Sequence, residues 1–289
     1  MKIAAVQMVS SPSVSANLAA ARALLAQAAD AGAELAVLPE YFCLLGFKDT
    51  DKLAIAEFDA EGGSAGGSSG APLQAFLSQC ARDFSLWIVG GTIPLHALGA
   101  DHASKVFNST LVYNPIGERV VRYDKIHLFC FDNGKESYDE SRVLMAGRQP
   151  VAFDLSSRSG DSWRIGLSIC YDLRFPELYR ALAADVLLVP SAFTYTTGLA
   201  HWELLLRARA IENLAYVIAS AQGGWHDNGR RTWGQSMVVG PWGNILAQLP
   251  PEPPEPSGPG RPGLVLADLD KPTLLALREQ LPALSHRCL

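Results

Sequence analysis

The chain has 289 residues, of which 48% are hydrophobic and 18% charged, a balance typical of a folded globular protein. Its formal net charge is −5 and no basic run interrupts it, which argues against a nucleic-acid partner. No apolar run approaches the ~20 residues of a membrane span, so we expect no membrane association.

The cysteine pattern indicates which redox chemistry and which cellular compartment to expect. The chain contains an odd number of cysteines without CxxC spacing: Cys43, Cys80, Cys130, Cys170 and Cys288. This pattern predicts neither a disulfide framework nor a zinc site, and we expect neither a metal nor a cofactor. The N-terminal residues read as a strand without the long apolar core of a secretion signal, so we expect a cytoplasmic location that keeps thiols reduced.

The first half of the chain alternates predicted strands and helices. A strand at 2–9, an alanine-rich helix ending near Ala31 and a strand at 34–39 form a strand–helix–strand unit. The Gly/Ser-rich stretch 61–70 predicts a flexible surface loop. The remaining elements are a helix at 72–84, a strand at 86–90, a hairpin of strands at 106–114 and 118–123, and a polar loop at 132–148.

The second half continues the alternation and ends in a strand and a helix. The proline-rich stretch 250–262 predicts an exposed extended loop. The other elements are strands at 151–155, 163–169, 185–189, 216–221, 235–239 and 263–269, and helices at 175–183, 200–213 and 273–281. Neither a repeat nor a composition shift divides the chain, so we expect one α/β domain over residues 1–289.

The predicted helix at 200–213 is apolar on two faces. Trp202 and Leu206 share one face, whereas Leu204 and Ile211 mark another. This pattern predicts a helix that lies between the sheet and a further partner, such as a second subunit.

An apolar strand runs into Cys170 and a polar turn follows. Pro176 then suits the first turn of a helix, where its missing N–H is not needed. A cysteine at such a corner stands at the sheet edge near a helix N-terminus, which favours a thiolate. The alternative is a small apolar residue that closes the strand.

Two more chemically active residues follow predicted strands: Glu40 and Lys125. Together with Cys170 they could supply a nucleophile, a proton-transferring carboxylate and a cation that stabilises an oxyanion. His127 and His201 compete for the role of the base. His127 lies in an apolar run and fits a structural hydrogen-bonding histidine, and His201 reads as a helix N-terminal residue. Spacing alone does not decide between glutamate and histidine.

Several separated motifs resemble the nitrilase (carbon–nitrogen hydrolase) superfamily over essentially the whole chain. They are AVQ at 5–7, LPE at 38–40, YDKIHLF at 123–129, GLSICYDLRFPE at 166–177, AHWE at 200–203 and GQSMVV at 234–239. The resemblance implies an α/β fold, an α–β–β–α sandwich that pairs into a four-layer or larger α–β–β–α–α–β–β–α dimer. It therefore implies a homodimer or higher homo-oligomer.

The resemblance also implies catalytic roles. Glu40 would be the general base and acid, Lys125 the oxyanion stabiliser and Cys170 the nucleophile. The backbone N–H of Tyr171 would be the second oxyanion donor.

A second glutamate of the superfamily lies between the lysine and the cysteine and positions the lysine and the substrate. Glu140, in the run YDES at 138–141, fits that place best. Glu136 is the alternative, because the loop offers few anchors for alignment.

The run SAFTYTTGLAHWE at 191–203 resembles the branch that holds ω-amidase and deaminated glutathione amidase. Segments 175–178, 206–212 and 219–224 look closer to the second of these. The resemblance implies hydrolysis of deaminated glutathione to 2-oxoglutarate and cysteinylglycine through a cysteine acyl-enzyme. The alternatives are an ω-amidase acting on 2-oxoglutaramate, a broader aliphatic amidase, nitrilase or carbamoylase, and a binding protein without catalysis.

In this branch Arg174 and Thr197 would hold the carboxylate end of the substrate, a small-molecule amide. Arginine suits this task because its guanidinium binds a carboxylate with two parallel hydrogen bonds. The alternative for Arg174 is a structural ion pair with Asp172 or Glu177.

Overall fold

Two β-sheets lie face to face at the centre of the protein, and helices cover their outer faces. The computed structural model describes residues 1–60, 70–97, 105–251 and 260–288. The strands, in chain order, are β1 (Lys2–Gln7), β2 (Leu35–Val37), β3 (Trp87–Val89), β4 (Ile93–His96), β5 (Val106–Tyr113), β6 (Arg119–Asp124), β7 (Cys130–Asp132), β8 (Ser137–Asp139), β9 (Leu144–Met145), β10 (Ala152–Ser156), β11 (Ser162–Leu167), β12 (Val186–Ser191), β13 (Tyr216–Ala221), β14 (Gly223–Trp225), β15 (Arg231–Trp233), β16 (Met237–Val239), β17 (Ile245–Gln248) and β18 (Gly263–Asp268).

Helices and short 3₁₀ turns connect the strands. The helices are α1 (Val14–Asp30), α2 (Asp51–Ala54), α3 (Pro72–Phe84), α4 (Pro176–Leu182), α5 (Tyr195–Asn213) and α6 (Lys271–Gln280). Two 3₁₀ turns, Glu140–Arg142 and Cys170–Arg174, both carry residues of the candidate site.

Both sheets have a parallel centre. The first follows the order β18-β1-β2-β3-β5-β4, with β6 and β9 also paired to β5, and its strands β1, β2 and β3 are parallel. The second follows the order β10-β11-β12-β13-β16-β17, and its strands β11, β12 and β13 are parallel. Two ribbons, β7-β8 and β14-β15, lie outside these sheets.

The layers follow from the two-residue period of the strands. Along β1, Ile3 and Ala5 belong to the buried cluster shared with the second sheet, whereas Ala4 and Val6 belong to the cluster with α1 and α3. The hydroxyl of Ser220 on β13 donates to the carbonyl of Val37 on β2 (2.8 Å) and joins the sheets. Helices α4 and α5 pack on the second sheet, which confirms the predicted α–β–β–α order.

Helix α5 begins earlier than the sequence predicts. The Thr194 side chain caps its N-terminus, so the helix starts at Tyr195 and His201 lies inside it rather than at its beginning. Trp202 and Leu206 are buried, as expected for the face on the sheet. Leu204 on the other face is 69% exposed, and what covers that face stays a prediction.

Several short strands escaped prediction because they lack an alternating apolar pattern: β4, β14, β15 and β17. The polar segment 132–148 is also more ordered than a loop, since it contains β8, a 3₁₀ turn and β9.

The predicted Gly/Ser-rich loop, except Gly70, and residues 252–259 of the proline-rich stretch lie outside the described residues. Within the described parts of the chain, none of the helices combines the length and apolar character needed to cross a membrane.

Candidate active site

The predicted chemical residues meet where strands of the two sheets end. Glu40 follows β2, Lys125 follows β6 and Cys170 follows β11, and parallel strands bring such ends to one edge. Glu40 and Cys170 border a cleft with about 740 Å³ of empty space, part of it open to solvent. Its lining includes Glu40, Tyr41, Asp49, Lys52, Phe129, Tyr138, Glu140, Cys170, Tyr171, Arg174, Phe193, Thr194, Thr197, Arg230 and Thr232.

Glu40 is buried and held by three donors. The Lys125 ammonium and the Asn108 amide both donate to Oε1, each at 2.9 Å, and the backbone N–H of Ala192 donates to Oε2 at 2.9 Å. Burial raises the pKa of Glu40, and the neighbouring Lys125 charge opposes that rise. The result is a carboxyl group in a fixed orientation with a raised pKa, as a proton-transferring group requires.

Lys125 lies fully buried between two glutamates. Its Nζ is 2.9 Å from Glu40 Oε1 and 2.8 Å from Glu140 Oε2. Burial alone would lower the pKa of Lys125, but the charges of Glu140 and Glu40 outweigh it and raise the pKa. The ammonium therefore stays protonated, with one oxygen of Glu40 and both oxygens of Glu140 within 2.9 Å of Nζ.

Glu140 is the glutamate that contacts the lysine. It also accepts hydrogen bonds from the Tyr41 hydroxyl (2.9 Å) and the Phe129 N–H (2.7 Å). Burial would raise the pKa of Glu140, but Lys125 and the Phe129 N–H lower it overall, so the group stays ionised. The alternative, Glu136, instead accepts a hydrogen bond from the Thr196 hydroxyl (3.0 Å).

Cys170 begins the 3₁₀ turn Cys170–Arg174 in a left-handed backbone conformation, with φ +50°. Non-glycine residues rarely adopt this conformation, and it is found where a side chain must be aimed at a site. Burial and the adjacent Glu40 carboxylate raise the pKa of the Cys170 thiol. A side-chain hydrogen bond with Cys170 in turn lowers the pKa of Glu40, and both residues line the cleft.

Hydrogen bonds to Asp172 hold the turn that carries Cys170. This buried carboxylate accepts from the Ile169 N–H (2.8 Å), the Tyr123 hydroxyl (2.6 Å) and the His127 N–H (3.0 Å). The His127 ring lies with Nδ1 2.7 Å from Asp172 and stacks on Phe175 at 3.6 Å. His127 is thus bound to the structure beneath the turn, as predicted, and does not contact the thiol.

Arg174 and Thr197 both line the cleft, as their predicted role requires. The Arg174 guanidinium lies 3.2 Å from His201 Nδ1 and over the ring of Phe193. Among the described residues Arg174 forms no salt bridge, so the predicted alternative of an ion pair with Asp172 or Glu177 is not found. The Thr197 hydroxyl lies 2.8 Å from that of Thr194 at the start of α5.

Four groups of the site were not identified from the sequence. Asn108 was the easiest of them to predict, because it is one of three polar residues in the largely buried strand β5. Tyr41 follows Glu40 in a left-handed conformation with φ +58°. Gly91 permits this turn, since an added Cβ would lie 2.1 Å from the Pro39 carbonyl oxygen. The N–H of Ala192 could not be anticipated, because backbone groups leave no trace in sequence.

Comparisons with known proteins agree with this geometry. Residues 2–279 match the carbon-nitrogen hydrolase family. Deaminated glutathione amidase from Synechocystis sp. is 41% identical over 288 residues, which cover 98% of this chain and 97% of that protein.

Solved structures give the same result. Nit3 of Saccharomyces cerevisiae, a nitrilase-superfamily member, is 29% identical with a TM-score of 0.81, covering 100% of this chain and 97% of that one. A mutant amidase from Nesterenkonia sp. AN1, in which acrylamide has added to the active-site cysteine, is 27% identical with a TM-score of 0.72, covering 98% of each chain. The chain therefore belongs to the carbon–nitrogen hydrolase family, which confirms the family and enzyme class that its motifs predict.

Proposed function

We propose that this protein, as one domain over residues 1–289, hydrolyses the amide bond of deaminated glutathione to give 2-oxoglutarate and cysteinylglycine. The observation that carries this proposal is that Glu40 and Cys170 line one cleft, with the Lys125 ammonium 2.9 Å from Glu40. The substrate is suggested by the 41% identical relative named deaminated glutathione amidase.

The first half of the reaction makes a thioester. Cys170 attacks the amide carbonyl carbon while Glu40 takes the thiol proton, so the raised pKa of the thiol is overcome as the C–S bond forms. The Lys125 ammonium and the backbone N–H of Tyr171 stabilise the oxyanion. The C–N bond then breaks, and Glu40 returns the proton to the departing amine.

The second half reverses these roles. Water enters where the amine left, Glu40 takes one of its protons, and the resulting hydroxide adds to the thioester carbonyl. The C–S bond breaks, 2-oxoglutarate leaves, and Glu40 gives the proton back to Cys170. Glu140 does not transfer protons in this scheme, because its oxygens are occupied by Lys125, Tyr41 and the Phe129 N–H.

Arg174 and Thr197 would hold the 2-oxo acid end of the substrate. The guanidinium reaches the cleft beside Tyr171 and Phe193, and its hydrogen-bond partner His201 is neutral or cationic rather than anionic. An incoming carboxylate would therefore find an arginine whose charge no carboxylate among the described residues neutralises.

A product assay tests the proposal. The purified protein should release 2-oxoglutarate from deaminated glutathione with cysteinylglycine and without ammonia. An enzyme that cleaves only 2-oxoglutaramate, with release of ammonia, is an ω-amidase instead. A chain that forms no covalent adduct on Cys170 with any amide, as judged by mass spectrometry, is a binding protein and the proposal fails.

We also propose a cytoplasmic location and a homodimer or higher homo-oligomer. The exposed apolar face of α5, with Leu204 and Ile211, supports an association between copies of the chain. Size-exclusion chromatography with light scattering tests the oligomeric state.

A further inference from the structure

A cluster of charges borders the cleft apart from the catalytic residues. It consists of Asp49, Lys52 and Arg230, here called the Asp49 cluster. Asp49 and Lys52 come from the segment around the start of α2, and Arg230 comes from the turn between β14 and β15. No motif in the sequence marks this cluster.

The cleft continues at this cluster into a smaller cavity. All three residues of the Asp49 cluster line both spaces, together with Tyr41 and Leu45. The smaller cavity has about 210 Å³ of empty space, part of it open to solvent. The Asp49 cluster therefore lies where the two spaces adjoin, in a position to contact a part of the substrate that extends beyond the scissile bond.

Two cations of the cluster share one carboxylate. Arg230 Nη2 lies 2.7 Å from Asp49 Oδ1, and Lys52 Nζ lies 3.8 Å from the same oxygen. Among the described residues, Asp49 is the one carboxylate within salt-bridge distance of Arg230 or Lys52. Taken by itself, the cluster therefore holds two cationic side chains against one carboxylate.

The side chains of the cluster can accept a second anion. A guanidinium has five N–H donors, and Arg230 uses one nitrogen on Asp49 while its plane lies near the Tyr138 ring. The Lys52 side chain is only 13% exposed and sits over the Tyr41 ring at 4.7 Å. A carboxylate placed here would therefore gain charge-assisted hydrogen bonds in a partly desolvated position.

We infer that the Asp49 cluster binds a carboxylate carried by the leaving amine of the substrate, which for deaminated glutathione is the C-terminal carboxylate of the dipeptide. This inference rests on the proposed function, in which Arg174 holds the 2-oxo acid end. A substrate with a carboxylate on both sides of the scissile amide then contacts both arginines. 2-Oxoglutaramate, whose leaving group is ammonia, has nothing to place at the Asp49 cluster.

A substrate–variant cycle tests the inference. Three amides are compared: deaminated glutathione, the same compound with a C-terminal carboxamide, and 2-oxoglutaramate. In the wild type the carboxamide should lower kcat/KM by about 10- to 100-fold, the range for loss of a charge-assisted hydrogen bond. In Arg230→Ala the acid and the carboxamide should differ by less than about threefold, because the group that distinguishes them is gone.

The ratio of kcat/KM for deaminated glutathione over 2-oxoglutaramate gives a second readout. It should fall by about 10- to 100-fold in Arg230→Ala and by less in Arg230→Lys, which keeps the charge. Arg22→Ala is the matched control, since Arg22 also pairs with a single aspartate, Asp83, but lies outside the cleft lining. Equal losses on both substrates in Arg230→Ala would overturn the inference, because Arg230 would then act on the acyl part.

A binding measurement separates this inference from the proposed function. Calorimetry with Cys170→Ala compares N-acetyl-cysteinylglycine with its C-terminal amide, so no turnover is needed. The acid should bind at least about tenfold more tightly, and Arg230→Ala in the same background should abolish the difference. Equal affinities for the two ligands would overturn the subsite even if deaminated glutathione is hydrolysed. Absent hydrolysis with a preserved affinity difference would instead overturn only the proposed function.

Discussion

The floor of the cleft and its wall differ in burial and in the number of partners that hold each charged group. The floor consists of Glu40, Lys125, Glu140 and Cys170, and the side chain of Lys125 is 0% exposed. Each glutamate of the floor accepts hydrogen bonds from three groups. On the wall, the side chains of Arg230 and Asp49 are 32% and 43% exposed and make one ion pair with each other.

This difference separates the residues that carry out the reaction from those that select the substrate. Removing one member of a buried, fully hydrogen-bonded set leaves other charges without partners. The loss that such a substitution causes is therefore large, and it does not depend on which substrate is used. An exposed ion pair contributes about 0–1 kcal/mol to folding, so the wall can change with little effect on stability. We therefore expect floor variants to lose rate on every amide and wall variants to change which amide is preferred.

Cys170→Ala should have the largest effect on the floor. Without the thiol no acyl-enzyme forms, and turnover of every amide should fall by at least about 10⁴-fold while the fold is kept, because the change removes one atom. Mass spectrometry with a slow substrate should find the acyl group on the wild type only. Cys80→Ala, a buried cysteine outside the cleft lining, is the control. Turnover that survives in Cys170→Ala would remove the nucleophile assignment.

Lys125→Ala should lower kcat/KM by about 10²- to 10³-fold, as expected for the loss of an oxyanion donor. It should also lower the free energy of unfolding by about 3–5 kcal/mol, because Glu40 and Glu140 lose their shared cation. Stopped assays and urea unfolding measure the two effects separately.

The double variant Lys125→Met/Glu140→Gln separates rate from stability at this position. It removes one buried negative charge along with the cation, so part of the lost stability should return while the rate stays low. A recovery of rate together with stability would show that Lys125 serves only to hold the fold.

The pH profile tests the electrostatics of the floor. Glu40 acts as a base only when ionised, and burial raises its pKa. The value of kcat/KM should therefore fall tenfold per pH unit below a pKa that lies above the ordinary range of a glutamate. The charge of Glu140 contributes to the raised pKa, so Glu140→Gln should move this acid limb to lower pH. A limb that stays in place or moves upward in Glu140→Gln would contradict this account.

The floor was largely predictable from the sequence, for a physical reason. Glu40 and Cys170 each follow a short apolar strand, and ligand sites of α/β sheets form at the carboxyl ends of such strands. The motifs around these residues resemble a known family, and that resemblance predicts glutamate rather than histidine as the base. Glu140 contacts Lys125 as the resemblance predicts, although the sequence predicts a loop where the structure has a 3₁₀ turn.

The wall was only partly predictable. The Asp49 cluster joins residues about 180 positions apart, and neither segment has a periodic pattern. Their contact depends on how loops pack over the sheet edges, which single-sequence patterns do not describe. The same holds for the partners of Arg174, because the predicted start of α5 placed His201 at the helix end.

Arg174→Ala tests the part of the wall that would bind the 2-oxo acid. If Arg174 holds the 2-oxo acid, KM should rise by about 10- to 100-fold for deaminated glutathione and 2-oxoglutaramate alike, with a smaller change in kcat. His201→Ala, which removes an imidazole partner of the guanidinium, should change KM by less. Initial rates on both amides give these constants. A loss confined to deaminated glutathione would place Arg174 on the leaving-group side instead.

Tyr41→Phe should have the smallest effect, because Tyr41 lies between the two regions. Its hydroxyl donates to Glu140 on the floor, whereas its ring lies under Lys52 of the Asp49 cluster. The variant removes the hydrogen bond and keeps the ring. Glu140 retains Lys125 and the Phe129 N–H, so kcat should fall by only about two- to tenfold on every amide, with KM nearly unchanged.

Steady-state kinetics on deaminated glutathione and 2-oxoglutaramate measure this effect, with Tyr113→Phe as a control at a buried tyrosine outside the cleft lining. A fall as large as that of Lys125→Ala would mean that the Tyr41 hydroxyl contacts the reacting atoms. A change in KM for deaminated glutathione alone would mean that this hydroxyl belongs to the wall. The first result would assign the Tyr41 hydroxyl to the floor and the second would assign it to the wall, because the hydroxyl is the one group that the substitution removes.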